Sequence, residues 1–277
     1  MKTVQSLDQL ISARKMLPGP VGFVPTMGYL HEGHLSLARR AREECASVVV
    51  SIFANPTQFA PDEDLDTYPR DIPRDKSLLQ AIPTDLVWIP SPEIMYPDDF
   101  QTWVTVEEVT KPLEGAYRPT HFRGVTTIVA KLFNAVQPDK AYFGQKDAQQ
   151  AVVIQQMVRD LNYPLQVVIC PIVRESDGLA MSSRNTYLDQ SEHQAALSLS
   201  QGLGLAREAF QNGVRDADRL RSIVRERINQ ENLTEIEYVS CAHPETLQEL
   251  EGKVESCLIS LAVYVGDTRL IDNVVLS

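Results

Sequence analysis

The strongest constraint on the fold lies in residues 21–53, where VGFV is followed by TMGYLHEGH, then LARRAREEC, then SVVVSIF. The outer segments are apolar and rich in β-branched residues, whereas the spacing of LARRAREEC is helical, which predicts a helix over 34–45. Strand, helix and strand joined by short turns make a βαβ unit and hence a parallel sheet. A second set follows in AYFG (141–144), QKD, DAQQAVVIQQMVRDL and LQVVIC (165–170), with Asp147 placed as the helix N-cap. Two such halves predict an α/β fold with a Rossmann-like doubly wound parallel sheet.

Between the halves the texture changes. Residues 54–120 carry 10 of the 17 prolines and many acids, so long loops with short embedded elements are expected through the insert at 60–120. DLVWI (85–89) reads as a strand, and WVTV (103–106) as a weaker one. In RGVTTIVAKLFNAV, Val125, Ile128, Val129, Leu132, Phe133 and Val136 repeat on one helical face. Beyond residue 184, Ser191 and Gln194 stand at capping-box spacing ahead of one helix, and DADRLRSIVRERINQ gives another. TEIEYVSCA, SCLISLAVYV and TRLIDNVVL then read as an antiparallel meander turned at Gly266-Asp267. The chain is expected to comprise a larger Rossmann-like domain over 1–184 and a smaller α+β domain over 185–277.

With 37 acidic against 26 basic side chains, the net charge of −11 opposes long-range attraction to a polyphosphate backbone, so no nucleic-acid partner is expected. One nucleotide in a locally basic pocket remains compatible with it. The four cysteines, Cys45, Cys170, Cys241 and Cys257, show no C-x-x-C pair, which fits free thiols in a reducing compartment. No signal-peptide core and no membrane-length apolar run is legible, so a cytoplasmic location with no membrane partner is expected.

His31 and His34 sit where the first strand hands over to its helix. H-E-G-H is one residue short of the helical zinc spacing H-E-x-x-H, Gly33 is a poor helix former, and no third ligand is evident. Gly28 and Gly33 remove Cβ atoms where backbone turns tightly or approaches a ligand. A helix N-terminus with unpaired N–H groups and partial positive charge suits phosphate, and imidazole donors there would add hydrogen bonds to a phosphorus centre gaining negative charge. The pair therefore reads as a grip on a nucleotide phosphate.

H-x-G-H at a first βα turn resembles the signature of the nucleotidyl-transferring superfamily that includes class I aminoacyl-tRNA synthetases. PTMGYLHEGH is more specific and resembles the pantoate–β-alanine ligase family, as do NPTQF (55–59), YRPTHFRGV (117–125), GQKDAQQ (144–150), DGLAMSSRN (177–185) and TRLIDN (268–273), in order along the chain. Ala54 departs from the bulkier aliphatic residue expected there. The resemblance implies ATP-dependent condensation of pantoate with β-alanine through a pantoyl adenylate. It implies His34, His31 and Lys146 as catalytic, and ATP contacts from Met27, Gly28, Tyr29, Leu30, His31, Glu32, Gly33 and His34. Further ATP contacts are implied at Gly144, Gln145, Lys146, Asp147, Val173, Met181, Ser182, Ser183 and Arg184. Gln58 and Gln150 would bind pantoate, and Gln58 also β-alanine.

The chemistry of these residue types suits those roles. Lys146 offers a compact positive charge for phosphate, Asp147 an acceptor for ribose hydroxyls, and Ser182, Ser183 and Arg184 a second phosphate grip. Gln58 can both donate and accept. Asn55 could support the same corner, while Arg123 either meets a carboxylate or phosphate or pairs with surface acids. His121, His193 and His243 read as structural. Mg2+ is implied by the triphosphate, with no carboxylate cage legible, and the resemblance implies a homodimer. Another small-acid adenylating ligase, a tRNA-charging enzyme and a nucleotide-binding module without catalysis are the alternatives.

Overall fold

The computed structural model of the chain describes residues 1–61 and 63–277. In chain order its elements begin β1 (Lys2–Val4), α1 (Leu7–Arg14), β2 (Val21–Thr26), α2 (Glu32–Glu44) and β3 (Ser47–Ile52). The proline-rich insert contains α3 (Ile72–Gln80), β4 (Leu86–Trp88), α4 (Pro92–Met95) and α5 (Glu114–Tyr117). Then come α6 (His121–Val136), β5 (Lys140–Gly144), α7 (Ala148–Asp160) and β6 (Gln166–Cys170). The chain ends with α8 (Gln190–Gln211), α9 (Ala217–Ile228), β7 (Thr234–Ala242), β8 (Cys257–Val265) and β9 (Thr268–Leu276). Two compact units result, Met1–Gly144 with Val153–Pro171, and Gln145–Val152 with Ile172–Ser277.

The first unit holds a six-stranded sheet in the order β1-β4-β3-β2-β5-β6, and every pairing is parallel. Side chains alternate across it. Phe23, Val49, Trp88 and Phe143 face a core shared with Leu10 of α1 and with α6 and α7, whereas Val24, Val50, Val87 and Tyr142 face one shared with α2 and Leu79 of α3. A sheet covered on both faces explains its continuous apolar runs. From β2 the chain crosses to β3 on one side, while β5 pairs on the other. The carboxyl ends of β2 and β5 therefore flank the switch point where doubly wound sheets bind ligands.

In the second unit β7, β8 and β9 form the antiparallel meander, with Gly266 at φ 55° in its last turn. Its core joins Leu199 and Leu203 of α8, Leu220 and Val224 of α9, and Ile259, Leu261 and Val274 of the sheet. Among the described residues no helix is long and apolar enough to cross a membrane.

Three local expectations are corrected. The first crossover helix begins at Glu32 rather than His34. The α8 capping box uses Asp189 and Glu192, because Asp189 accepts from the N–H groups of Ser191 and Glu192. WVTV forms no strand. Its Val104 N–H donates to the Thr127 hydroxyl and its Val104 carbonyl accepts from Thr126, so hydroxyls on α6 take the place of a neighbouring strand.

Candidate active site

The turn after β2 is left-handed at Gly28 (φ 92°) and at Tyr29 (φ 49°). Gly28 is suited to that backbone; Tyr29 must be held in it. From there His31, with extended backbone, becomes the N-cap of α2. Its Nδ1 accepts from the Gly33 N–H at 3.2 Å, while the Nδ1 of His34 accepts from the His31 N–H at 3.3 Å. This is a capping box in which both side chains are imidazoles instead of the usual hydroxyl and carboxyl. With Nδ1 accepting, each neutral ring carries its proton on Nε2, so each Nε2 is a donor. The ring centroids lie 4.1 Å apart at the positive end of a thirteen-residue helix.

Of the neighbouring predicted residues, Glu32 pairs with Arg39 on the surface of α2. Leu30 is fully buried; its N–H donates to Asp75 and its carbonyl accepts from Arg74. Its contribution is thus to anchor the turn.

After β3 the chain enters a short 3-10 turn, Pro56–Gln58, capped by buried Asn55. The Asn55 Nδ2 donates to the Gln58 Oε1 at 3.0 Å and to the Gly124 carbonyl of α6 at 3.2 Å, while its Oδ1 accepts from the Thr57 hydroxyl at 3.0 Å. Gln58 in turn points its Nε2 at the Met27 sulfur, 3.0 Å away. The amide is therefore oriented, with its oxygen toward Asn55 and its NH2 toward the histidine turn. Arg123 lies on the same helix as Gly124, and its guanidinium stacks over the Trp103 ring at 4.2 Å. It meets an aromatic face rather than the surface acid that the sequence reading set as one alternative.

His121, read from sequence as structural, belongs to this corner. Its Nδ1 donates to the Gln58 carbonyl at 2.8 Å, and Arg118 donates to the same carbonyl at 3.2 Å. Arg118 is itself held by Glu63 of the proline-rich insert through two bonds of 2.7 and 2.6 Å. Burial, and then the Arg118 charge, push the His121 imidazole down from 6.5 to about 4. A depressed histidine costs stability in acid: as pH falls below 6.5 the unfolded chain takes up a proton that the folded ring refuses until about 4. The expected loss from this group between about pH 7 and about pH 4.5 is ~2–3 kcal/mol. Urea unfolding of wild type and His121→Gln at both pH values checks it, and equal pH sensitivity in the two proteins would refute it.

Gly144 ends β5 in the first unit, and the second unit carries the remaining predicted residues. Gln145–Asp147 forms a 3-10 turn directly after β5, with the Lys146 Nζ 3.6 Å from Asp147, and Gln150 follows in the first turn of α7. The turn is gripped from β9, where the Asn273 Nδ2 donates to the carbonyls of Gln145 and Lys146, both at 2.9 Å. In the other predicted segment the Met181 N–H donates to the Val173 carbonyl at 3.0 Å, and Ser182 caps a 3-10 turn that contains Ser183 and Arg184. Buried Asp272 anchors the base of this segment through two hydrogen bonds from Arg174, at 2.6 and 3.0 Å. Beside it Glu175, Asp177 and His193 form the group of three potential metal ligands found among the described residues. An imidazole in that set departs from the all-oxygen ligands that magnesium takes.

Sequence reasoning missed Asp75, Arg118 and Asn273, which act on turns distant in sequence. YRPTHFRGV and TRLIDN pointed at Arg118 and Asn273 as family-like strings without giving either a task; no comparable signal marked Asp75.

Comparison with known proteins gives the family. The model of the pantoate-beta-alanine ligase family matches residues 1–275. The chain is 54% identical over 277 residues to the pantothenate synthetase of Herpetosiphon aurantiacus, covering 100% of both. It is 58% identical over 255 residues to that of Heliobacterium modesticaldum, covering 92% of this chain and 91% of the relative. Among solved structures, the pantothenate synthetase of Thermus thermophilus superposes with a TM-score of 0.95 at 46% identity, covering 99% of each chain. The Francisella tularensis pantoate-beta-alanine ligase, solved with beta-gamma ATP and beta-alanine, gives 0.82 at 33% identity, covering 99% of this chain and 97% of that one. Family match, full-length relatives and superposed folds agree that this chain belongs to the pantoate–β-alanine ligase family.

Proposed function

We propose that the chain makes pantothenate from pantoate, β-alanine and ATP in two steps. A pantoate carboxylate oxygen attacks the α-phosphorus of ATP, the bond to the bridging oxygen breaks, and pyrophosphate leaves. The β-alanine amine then attacks the acyl carbon of pantoyl adenylate, loses a proton and expels AMP. A free carboxylate has too poor a leaving group for direct amide formation; adenylation supplies a good one.

The observation that carries this reading is the reciprocal histidine cap, which makes each Nε2 a donor at a helix N-terminus. His34 stabilises the charge that builds on the α-phosphate in the transition state, and His31 serves the neighbouring oxygens. Lys146, Ser182, Ser183 and Arg184 hold the departing pyrophosphate. Asp147 accepts from the ribose and Val173 lines the adenine, with further ATP contacts at Met27, Gly28, Tyr29, Glu32 and Gly33, at Gly144 and Gln145 and at Met181, whereas buried Leu30 serves only to anchor the turn. Gln58, its amide oriented by Asn55, binds pantoate and then β-alanine, and Gln150 binds pantoate. Magnesium arrives with ATP as part of the substrate.

In this reading residues 1–184 are the catalytic domain, 185–277 close over it, and the working form is a cytoplasmic homodimer. The four cysteines are all unpaired and buried, which suits a reducing compartment.

Pyrophosphate exchange into ATP tests the reading. Exchange should require pantoate, proceed without β-alanine, and give way to AMP release once β-alanine is added. ADP formation would point to an acyl phosphate instead, and exchange driven by a different acid would indicate another adenylating ligase.

A further inference from the structure

The turn that delivers the two histidines does not hold itself. Its Gly28 and Tyr29 are both left-handed, so the N–H groups of Tyr29 and Leu30 converge on one side of the backbone, the arrangement that elsewhere cradles an anion. Here the anion is supplied by the protein. Asp75, fully buried on α3, accepts the Tyr29 N–H on one carboxylate oxygen at 2.8 Å and the Leu30 N–H on the other at 2.7 Å. A Cβ on residue 28 would come within 3.3 Å of the first of those oxygens, so the glycine also makes room for the carboxylate.

The preceding residue grips the opposite side. Arg74 donates to the Leu30 carbonyl at 2.9 Å and lies 4.9 Å from the Tyr29 ring centroid. Arg74 Nη1 is also 3.7 Å from Asp75, which gives the buried carboxylate a nearby cation. Two successive residues of one helix thus fix both peptide groups that flank Leu30, immediately before His31 starts α2.

We propose that Asp75 is a positioning residue for adenylation: its carboxylate sets the left-handed turn that aims His31 and His34, without touching the substrates. This rests on the phosphate-gripping role given to the histidines above. It also assigns a task to part of the proline-rich insert, since α3 brings the brace to the turn. A displacement of about 1 Å at a catalytic group costs up to ~10²-fold in rate, and an asparagine at 75 turns an NH2 toward one of the two N–H groups.

The test compares wild type, Asp75→Asn, His34→Ala and the double variant in pantoate-dependent pyrophosphate exchange, together with amide hydrogen exchange at Tyr29 and Leu30. Asp75→Asn is expected to lower kcat about 10- to 100-fold while the ATP KM stays within ~3-fold. In the His34→Ala background the same change should cost less than ~5-fold, because only His31 is left for the turn to aim. The two amides should exchange faster in Asp75→Asn than in wild type. Multiplicative losses in the double variant, an unchanged kcat, or amides as protected as in wild type would each overturn the proposal.

Should Asp75→Asn fail to fold, Arg74→Ala carries the same comparison at about 3- to 10-fold, its side chain being 43% exposed. Wild-type protein without pantoate-dependent exchange would refute the reading of function itself. The amide measurement would still report whether the carboxylate holds the turn.

Discussion

His34→Ala is expected to lower pantoate-dependent pyrophosphate exchange by about 10²–10³, the scale on which a preorganised donor to a developing oxyanion contributes. Alanine also removes the acceptor for the His31 N–H and so weakens the start of α2 by ~1 kcal/mol. His34→Gln separates the two effects. Glutamine at the third helical position completes a capping box, so thermal stability should return toward wild type while the rate stays low. Lys146→Ala should fall by a similar ~10²–10³ through loss of a charge on the leaving pyrophosphate. Exchange within about 3-fold of wild type in His34→Gln, against that expected loss, would remove the imidazole from the chemistry.

Gly124→Ala is expected to be among the most damaging methyl groups that can be added to this chain. The new Cβ would lie 2.3 Å from the Thr57 carbonyl oxygen, 2.6 Å from its carbon and 2.8 Å from the Gln58 nitrogen. All three are backbone atoms, so no rotamer change relieves the overlap. Helix α6 must draw away from the Pro56–Gln58 turn, which breaks the Asn55 bond to the Gly124 carbonyl and turns the Gln58 amide loose. The expected cost is ~3 kcal/mol in stability, with a raised KM for pantoate in the protein that remains folded. Gly204→Ala is the control: nothing lies within 4 Å of its Cβ in the middle of α8, and helix propensity favours alanine by up to ~1 kcal/mol. Urea unfolding of both variants checks the contrast, and equal midpoints would count against the close approach at Gly124.

These two sites differ in how much of them could be read from the chain. The histidine turn was legible because strand, glycine-bearing turn and helix follow one another within a dozen residues, and local chemistry suffices to recognise a phosphate grip. Its detail was not, since a histidine is an unusual N-cap and the helix was placed two residues late. The buried strands of the parallel sheet were legible through runs such as SVVVSIF, and α6 through its period. Helix α3 was hidden by the proline-rich texture of its segment, although Pro73 stands in the first turn after the Asp71 N-cap, where a missing N–H costs nothing. The strand-like WVTV failed because the local pattern cannot say whether a partner strand lies beside it.

The least legible residues are those that hold a turn from far along the chain. Asp75 reaches back 46 residues to Tyr29, and Asn273 reaches 127 residues to Lys146. Neither task leaves a periodic or spacing signal, because a buried carboxylate or amide satisfied by backbone groups can come from anywhere that the fold brings near.

Asn273 has a consequence for how the protein comes into being. A nascent chain stopped short of β9 already contains every residue proposed to touch ATP, yet it lacks the side chain that pins the carbonyls of Gln145 and Lys146. The lysine turn is finished only when the last strand has left the ribosome and paired. Activity should therefore appear only once β9 has been made and paired, rather than grow with chain length.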